Sequence, residues 1–147
     1  MHFLFLIFVA ADQITKAVFA DRDFRFLGLH LHPMKNYGLP FGYDFGVKAN
    51  LLLLLFVYLV AGWMALRMQN VNRAAEVGRV MFLAGASSNL ADRLIYGYVR
   101  DFIDISLGFV FNLADVLIVA GLVLMLFAGR KRQSASNPEP TGQTYQN

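Results

Sequence analysis

The sequence predicts an all-α membrane protein with four transmembrane helices and a small region of short strands outside the membrane. Of its 147 residues, 57% are hydrophobic, and the mean hydropathy of +0.49 is above that of an ordinary soluble domain. The apolar residues gather in four stretches. A segment rich in glycine and proline separates the first two stretches. The length suits one compact domain.

The four apolar stretches predict helices over residues 1–20, 49–68, 77–94 and 109–128. A helix rises about 1.5 Å per residue and the hydrocarbon core is about 30 Å thick, so a span needs about 20 residues. The second and fourth stretches reach this length with their flanks. The first and third do so only by including polar residues, such as Asp12 and Lys16. Ionisable groups inside a membrane are costly, and they therefore indicate a functional site.

The first stretch has a second interpretation, as a cleaved secretory signal. Val9, Ala10 and Ala11 resemble a small-residue cleavage site. However, no basic residue precedes the stretch, and three further hydrophobic segments follow it. A spanning helix is therefore favoured.

The polar segments complete the organisation. Residues 24–47 alternate and are broken by glycine and proline, which predicts short strands and turns on the outer surface. Residues 96–108 are predicted as a shorter loop on the same side. Residues 1–129 form the predicted membrane domain, and 130–147 are a predicted disordered cytoplasmic tail.

The charges indicate the orientation. Basic residues cluster between the second and third spans and directly after the fourth, which predicts that both termini are cytoplasmic. Eight of the ten acids fall instead in outer loops or at outer helix ends: Asp12, Asp21, Asp23, Asp44, Asp92, Asp101, Asp104 and Asp115. Any chemistry is therefore expected on the outer face.

Two of these acids are candidate catalytic residues. Asp115 lies near the start of the fourth helix, three residues after Asn112, and Asp101 lies fourteen residues before it. The segment between them is long enough to fold back, so the two carboxylates can meet. The alternatives are a helix N-terminal acid for Asp115 and a salt bridge with Arg100 or Arg93 for Asp101.

Polar residues in the first and third spans are candidates for supporting roles. Asp12 and Lys16 have the spacing and order that favour a helical ion pair. Asn89 and Arg93 are also four residues apart and share a helix face. The small residues before them, including Gly85, permit close helix packing.

Several other function classes are not favoured. With no cysteine, disulfides, thiolate metal sites and cysteine nucleophiles are excluded. A Ser/Lys dyad of Ser87 or Ser88 with Lys16 is disfavoured because adjacent serines in a Gly/Ala run usually serve packing. His30 and His32 alternate on one strand face without a third ligand in view, so no metal site and no cofactor are predicted. The net charge of +3 is not gathered into a basic patch, so nucleic-acid binding is not expected.

Five short motifs occur together in one order. They are residues 12–16 (D-Q-I-T-K), 36–42 (N-Y-G-L-P-F-G), 85–93 (G-A-S-S-N-L-A-D-R), 97–104 (G-Y-V-R-D-F-I-D) and 111–115 (F-N-L-A-D). Each resembles a motif of bacterial lipoprotein signal peptidases, the signal peptidase II family. The chain looks like a slightly shortened or divergent member.

This resemblance implies a four-helix fold with a small extracytoplasmic β-cradle in the bacterial inner membrane. It implies an aspartyl endopeptidase that cuts signal peptides just before a diacylglyceryl-modified cysteine of prolipoproteins. Catalytic aspartates map onto Asp101 and Asp115. The supporting positions are Asp12, Lys16, Asn36, Gly85, Asn89, Arg93 and Asn112. The expected partners are prolipoproteins and membrane lipids, and the expected state is a monomer.

Two carboxylates close together in a poorly solvated site share one proton, and the charged member can activate a water. The competing class is a small membrane subunit that relays protons or binds cations, and a third possibility is an inactive homologue. The outer grouping of both aspartates, with no acid continuing a path inwards, favours the peptidase.

Overall fold

A computed structural model of the chain describes residues 1–26, 28–37 and 72–136, together with residues 55, 56, 58, 59, 62, 63 and 67. Its helices and strands follow one another as α1 (His2–Val18), β1 (Phe24–Phe26), β2 (Leu29–Asn36), α2 (Arg73–Tyr96), β3 (Val99–Asp104), β4 (Val110–Phe111) and α3 (Leu113–Ser136).

Three of the predicted helices have counterparts in α1, α2 and α3. The helix predicted over 49–68 lies largely outside the described residues, and the residues described within it are helical. No described helix is both long enough and apolar enough to cross a membrane. Among the described residues the class is therefore helices combined with a sheet.

Both ends of α3 differ from the prediction. The helix begins at Leu113 rather than at 109, because Val110 and Phe111 pair with β3 as a strand. It continues to Ser136, so residues 130–136 are helical and not disordered as predicted. These residues are mainly Arg, Lys, Gln, Ala and Ser, and the first four have good helix propensity. The rest of the predicted tail lies outside the described residues.

Helices α2 and α3 touch through glycine. A Cβ atom added at Gly121 would lie 2.5 Å from the carbonyl oxygen of Gly78 and 2.7 Å from the amide nitrogen of Phe82. A Cβ at Gly85 would collide with the carbonyl oxygen of Ala114. Small residues thus let the two backbones meet. This contact brings the C-terminal half of α2 against the start of α3.

Helix α1 turns its polar side inwards. Its buried residues are Asp12 and Lys16. Large apolar side chains point outwards instead, with Phe3 78% and Leu6 63% exposed. This is the reverse of the pattern of a water-soluble surface helix. Helix α3 also carries outward apolar side chains, such as Leu126, which is 64% exposed.

The four strands form one antiparallel sheet in the order β1-β2-β3-β4. Strands β1 and β2 lie in the region predicted to be extended, and residues 38–47 of that region lie outside the described residues. The prediction of a loop over 96–108 is wrong, because it contains β3. The β-forming residues Val99, Phe102 and Ile103 favour extended backbone, and pairing with β2 satisfies the backbone hydrogen bonds of β3.

A bulge in β2 sets which β2 side chains lie on the same face of the sheet as Asp101. Leu31 pairs with Ile103 and Met34 with Asp101, so two β2 residues oppose one residue of β3. Pro33, which has no N–H to donate, is one of the two. After the bulge, Asn36 pairs with Val99. It therefore shares a sheet face with Asp101, two residues along β3 from Val99.

Candidate active site

Asn112 joins the two predicted catalytic carboxylates. Its side-chain Nδ2 donates to Oδ1 of Asp101 at 2.6 Å. Its backbone N–H donates to Oδ2 of Asp115 at 3.1 Å. Asp101 is 3% exposed and Asn112 is fully buried. The structure therefore brings Asp101 and Asp115 to opposite sides of a single residue.

Local helix capping orients Asp115. Asn112 precedes the first residue of α3, and its Oδ1 accepts from the backbone N–H of Asp115 at 3.0 Å. The return bond from the Asn112 N–H to the Asp115 carboxylate completes a reciprocal capping box. The predicted N-terminal position of Asp115 is thus confirmed. The same contacts direct its carboxylate back towards the sheet and Asp101.

Asparagines from two other elements hold the same carboxylates. Asn36 on β2 donates to Oδ2 of Asp101 at 2.8 Å. Asn89 on α2 donates to Oδ1 of Asp115 at 2.8 Å, and its Oδ1 accepts from Nδ2 of Asn112 at 3.1 Å. Each aspartate therefore has both oxygens in hydrogen bonds, which fixes its orientation.

The environment of Asp101 favours the protonated form of its carboxyl group more than water does for an ordinary aspartate. Burial, and to a smaller degree the negative charge of Asp115, raise the pKa of the Asp101 carboxyl, while the hydrogen bonds from Asn36 and Asn112 lower it, and the net pKa is about 6. A carboxyl group with such a pKa can both lose and regain a proton near neutral pH.

Beneath the carboxylates lies a buried ion network centred on Lys16. Its Nζ is 2.7 Å from Oδ2 of Asp12 and 3.1 Å from Oδ2 of Asp92, and the Lys16 and Asp12 side chains are fully buried. The ammonium group also donates to Oδ1 of Asn89 at 2.9 Å. The predicted Asp12–Lys16 ion pair is confirmed, and through Asn89 it is two hydrogen bonds away from Asp115.

Asp12 also caps the last helix. Its Oδ1 accepts from the backbone N–H of Ala114 in the first turn of α3 at 2.7 Å. Its Oδ2 accepts from the hydroxyl of Ser88 at 2.7 Å. A negative charge at this end of a helix is favoured by the helix dipole. Asp12 therefore ties α1 and α2 to the element that carries Asp115.

Four members of the network were not predicted as site residues: Gln13, Ser88, Asp92 and Arg100. The Arg100 guanidinium is 2.7 Å from Oδ1 of Asp92 and donates to Oε1 of Gln13 at 2.5 Å. Gln13 in turn donates to Asp92 at 3.0 Å. Asp92 and Ser88 are four residues apart on α2, the spacing that already linked Asn89 with Arg93. That spacing is the sequence signal that could have identified Ser88 and Asp92.

The described structure contradicts two alternatives from the sequence: a salt bridge of Asp101 with Arg100, and the Ser/Lys dyad. Arg100 is paired with Asp92 and not with Asp101. The Ser88 hydroxyl donates to Asp12, and the Ser87 hydroxyl lies 3.0 Å from the hydroxyl of Tyr58. The Lys16 ammonium contacts Asp12, Asp92 and Asn89 instead of a serine hydroxyl, so the arrangement is not that of a Ser/Lys dyad.

The two remaining predicted supporting residues, Arg93 and Gly85, both lie on α2. Arg93, in the last turn of α2, lies within electrostatic reach of Asp101, Asp115 and Asp92. Gly85 contributes no polar group, and its place is the α2–α3 contact. Side chains that could hold a metal ion lie elsewhere, on β2 and at the end of β3.

Comparison with known proteins identifies the kind of protein that has this arrangement. The family model described as signal peptidase (SPase) II matches residues 4–129. A lipoprotein signal peptidase of Syntrophomonas wolfei is 33% identical over 144 residues, covering 88% of this chain and 94% of the relative. One of Caldicellulosiruptor bescii is 34% identical over 122 residues, covering 79% of this chain and 81% of the relative.

The fold also matches solved structures. A bacterial membrane enzyme determined by the in meso method at 2.3 Å resolution superposes with a TM-score of 0.77 at 23% identity, covering 95% of this chain and 93% of the other. A second, at 1.9 Å resolution, gives 0.73 at 24% identity, covering 88% and 91%. The chain has the fold of a bacterial membrane enzyme. It belongs to the signal peptidase II family.

Proposed function

We propose that this protein removes signal peptides from diacylglyceryl-modified prolipoproteins, with Asp101 and Asp115 as its catalytic pair. The observation that carries the proposal is Asn112, which donates one hydrogen bond to each carboxylate from the N-terminus of α3. Membership of the signal peptidase II family supplies the reaction class and the substrate.

We further propose that four helices span the bacterial inner membrane, with both termini cytoplasmic and the catalytic pair at the extracytoplasmic face. The outward apolar side chains of α1 and α3, such as Phe3 and Leu126, suit contact with lipid. The guanidinium of Arg67 lies 5.3 Å from the ring centre of Trp63. Aromatic and basic residues of this kind are common at a membrane interface, and loop arginines favour the cytoplasmic side.

The chemistry uses one shared proton. Asp115 accepts hydrogen bonds at the positive end of a helix, which suits the charged member, and Asp101 is the member with a pKa raised to about 6. In this scheme the Asp115 carboxylate takes a proton from a water molecule. The water oxygen forms a bond to the scissile carbonyl carbon, while the Asp101 carboxyl group donates its proton to the carbonyl oxygen.

Collapse of the tetrahedral intermediate completes the reaction. The carbon–nitrogen bond breaks, the proton held by Asp115 passes to the leaving amine, and Asp101 recovers a proton as the new carboxyl group forms. Asn36, Asn89 and Asn112 hold the two carboxylates in place throughout, a positioning role. The positive charge of Arg93 near both aspartates limits their mutual repulsion.

Incubation of the purified protein with a lipid-modified prolipoprotein tests this function. We expect one new product whose mass corresponds to cleavage immediately before the modified cysteine. The same precursor without the diacylglyceryl group serves as the substrate control and should stay uncut. Cleavage at another bond, or equal cleavage of both precursors, would contradict the proposed specificity.

The pair also predicts a pH profile. Activity needs one protonated and one charged carboxyl group, so kcat/KM should form a bell whose alkaline side begins near pH 6, where free Asp101 loses its proton. The Asn36 hydrogen bond lowers the pKa of Asp101. Asn36→Ala should therefore move the alkaline side to higher pH, as measured by initial cleavage rates. An alkaline side that stays in place would show that Asn36 does not act on this proton.

A further inference from the structure

A second cluster of ionisable side chains lies on the sheet, apart from the catalytic pair. His30 and His32 lie two residues apart on β2, and Asp104 at the end of β3 pairs with His30 across the sheet. One ligand atom from each of the three lies within 4.8 Å of the others. The sequence-based expectation that the histidines lack a third ligand is therefore wrong.

Both imidazole rings direct a nitrogen at the same carboxylate oxygen. Nε2 of His32 is 3.5 Å from Oδ2 of Asp104, and Nδ1 of His30 is 3.9 Å from it. In a tetrahedral zinc site with bonds of about 2.0–2.1 Å, neighbouring ligand atoms lie about 3.3 Å apart. The two distances to Asp104 exceed this value by about 0.2 and 0.6 Å, and all three ligand atoms lie within 4.8 Å of one another.

Other contacts orient two of these ligands. Nε2 of His30 is 2.9 Å from Oδ1 of Asp23, so this carboxylate can accept a hydrogen bond from Nε2 and orient the ring with Nδ1 towards Asp104. The backbone N–H of Ser106 donates to Oδ1 of Asp104 at 2.7 Å, which leaves Oδ2 facing the rings. Histidine ligands of metals usually have a carboxylate partner of this kind.

The cluster is also accessible from solvent. The side chains of His30, His32 and Asp104 are 18%, 26% and 24% exposed, so an ion can reach them from solvent. We propose that His30, His32 and Asp104 bind one zinc ion, with water as the fourth ligand.

Two imidazoles and one carboxylate suit Zn²⁺ among the common divalent ions. The ion would join β2 to β3, the two strands that carry Asn36 and Asp101. It is not adjacent to the reacting bond and has no part in the proposed hydrolysis. Its expected effect is to strengthen the pairing of the two strands.

Calorimetric titration with ZnCl₂ tests the site, using full-length untagged protein in detergent after treatment with EDTA and its removal. Wild type should bind one zinc ion per chain. His32→Ala and Asp104→Asn should each weaken binding at least tenfold, and Asp23→Ala about tenfold or more through loss of the orienting carboxylate. His2→Ala is the matched control and should bind as wild type does, because His2 lies in α1.

Equal binding by wild type and His32→Ala would overturn the proposal, and so would loss of binding in His2→Ala. Co²⁺ added to wild type gives a test that needs no variant. Intense visible absorption, typical of tetrahedral cobalt, is expected, and only weak octahedral bands would contradict the site. Protonated histidines paired with Asp104, without a metal, would give no zinc binding at all. Circular dichroism of each variant before titration verifies that it is folded.

Discussion

Asp101→Asn and Asp115→Asn should each reduce the cleavage rate of a lipid-modified prolipoprotein at least about 10³-fold, within the range that general acid–base groups contribute. Asparagine at position 115 cannot take a proton from water, and at position 101 it cannot donate one to the carbonyl oxygen. Because the two groups act as a unit, the double variant should be scarcely slower than either single variant. Cleavage is measured by product formation with purified enzyme.

The shape of the site keeps these variants interpretable. Both oxygens of Asp101 accept amide N–H bonds, so Asp101→Asn loses one of them and leaves an amide donor unsatisfied, at a cost of about 1–3 kcal/mol. The protein should therefore remain folded and bind substrate. Asp21→Asn changes an exposed acid beyond the end of α1 and is the matched control. Turnover near the wild-type rate in Asp101→Asn or Asp115→Asn would end the assignment.

Lys16→Met should destabilise the protein by about 3–5 kcal/mol, the usual cost of leaving buried charges without their partner. The change removes the ammonium group that contacts Asp12 and Asp92, both fully buried. Stability is measured by denaturant or thermal unfolding in detergent. The molecules that remain folded should lose little of their turnover rate, because Lys16 is connected to Asp115 only through Asn89.

Two comparisons sharpen this expectation. Lys35→Met removes an exposed lysine that lies 5.1 Å from the ring centre of Tyr98, and it should cost at most about 1 kcal/mol. Adding Asp12→Asn to Lys16→Met should recover part of the lost stability, because one of the two unpaired charges disappears. If Lys16→Met kept full stability and normal substrate affinity but had no turnover, Lys16 would belong to the chemistry instead.

Local spacing accounts for what could be predicted from the sequence. Asp12 and Lys16 form their ion pair because residues four apart share a helix face. Asn112 and Asp115 meet because a cap and the third residue of a helix bond reciprocally. The proximity of Asp101 and Asp115 could also be predicted, because the segment between them is short and folds back against β3 through β4.

Contacts set by tertiary structure could not be predicted. Arg100 contacts Asp92 rather than its neighbour Asp101 because adjacent residues of a strand point to opposite faces, and the prediction of a loop gave no strand. Asp104 meets His30 only through the register of β2 against β3. That register is set by pairing between residues more than 60 positions apart in the sequence, and no local pattern of residues indicates it.

The bulge in β2 sets the register of every residue that follows it in the strand. In an unbulged ladder continuing from Leu31 opposite Ile103, Lys35 rather than Asn36 would lie opposite Val99. Deleting Pro33 would leave a regular ladder in which Asn36 still lies opposite Val99. Deleting a second residue would place Lys35 opposite Asp101, with its ammonium group on the side of the carboxyl that must keep its proton. The segment before Asn36 can therefore lose one residue, and the bulge with it, more readily than it can lose two.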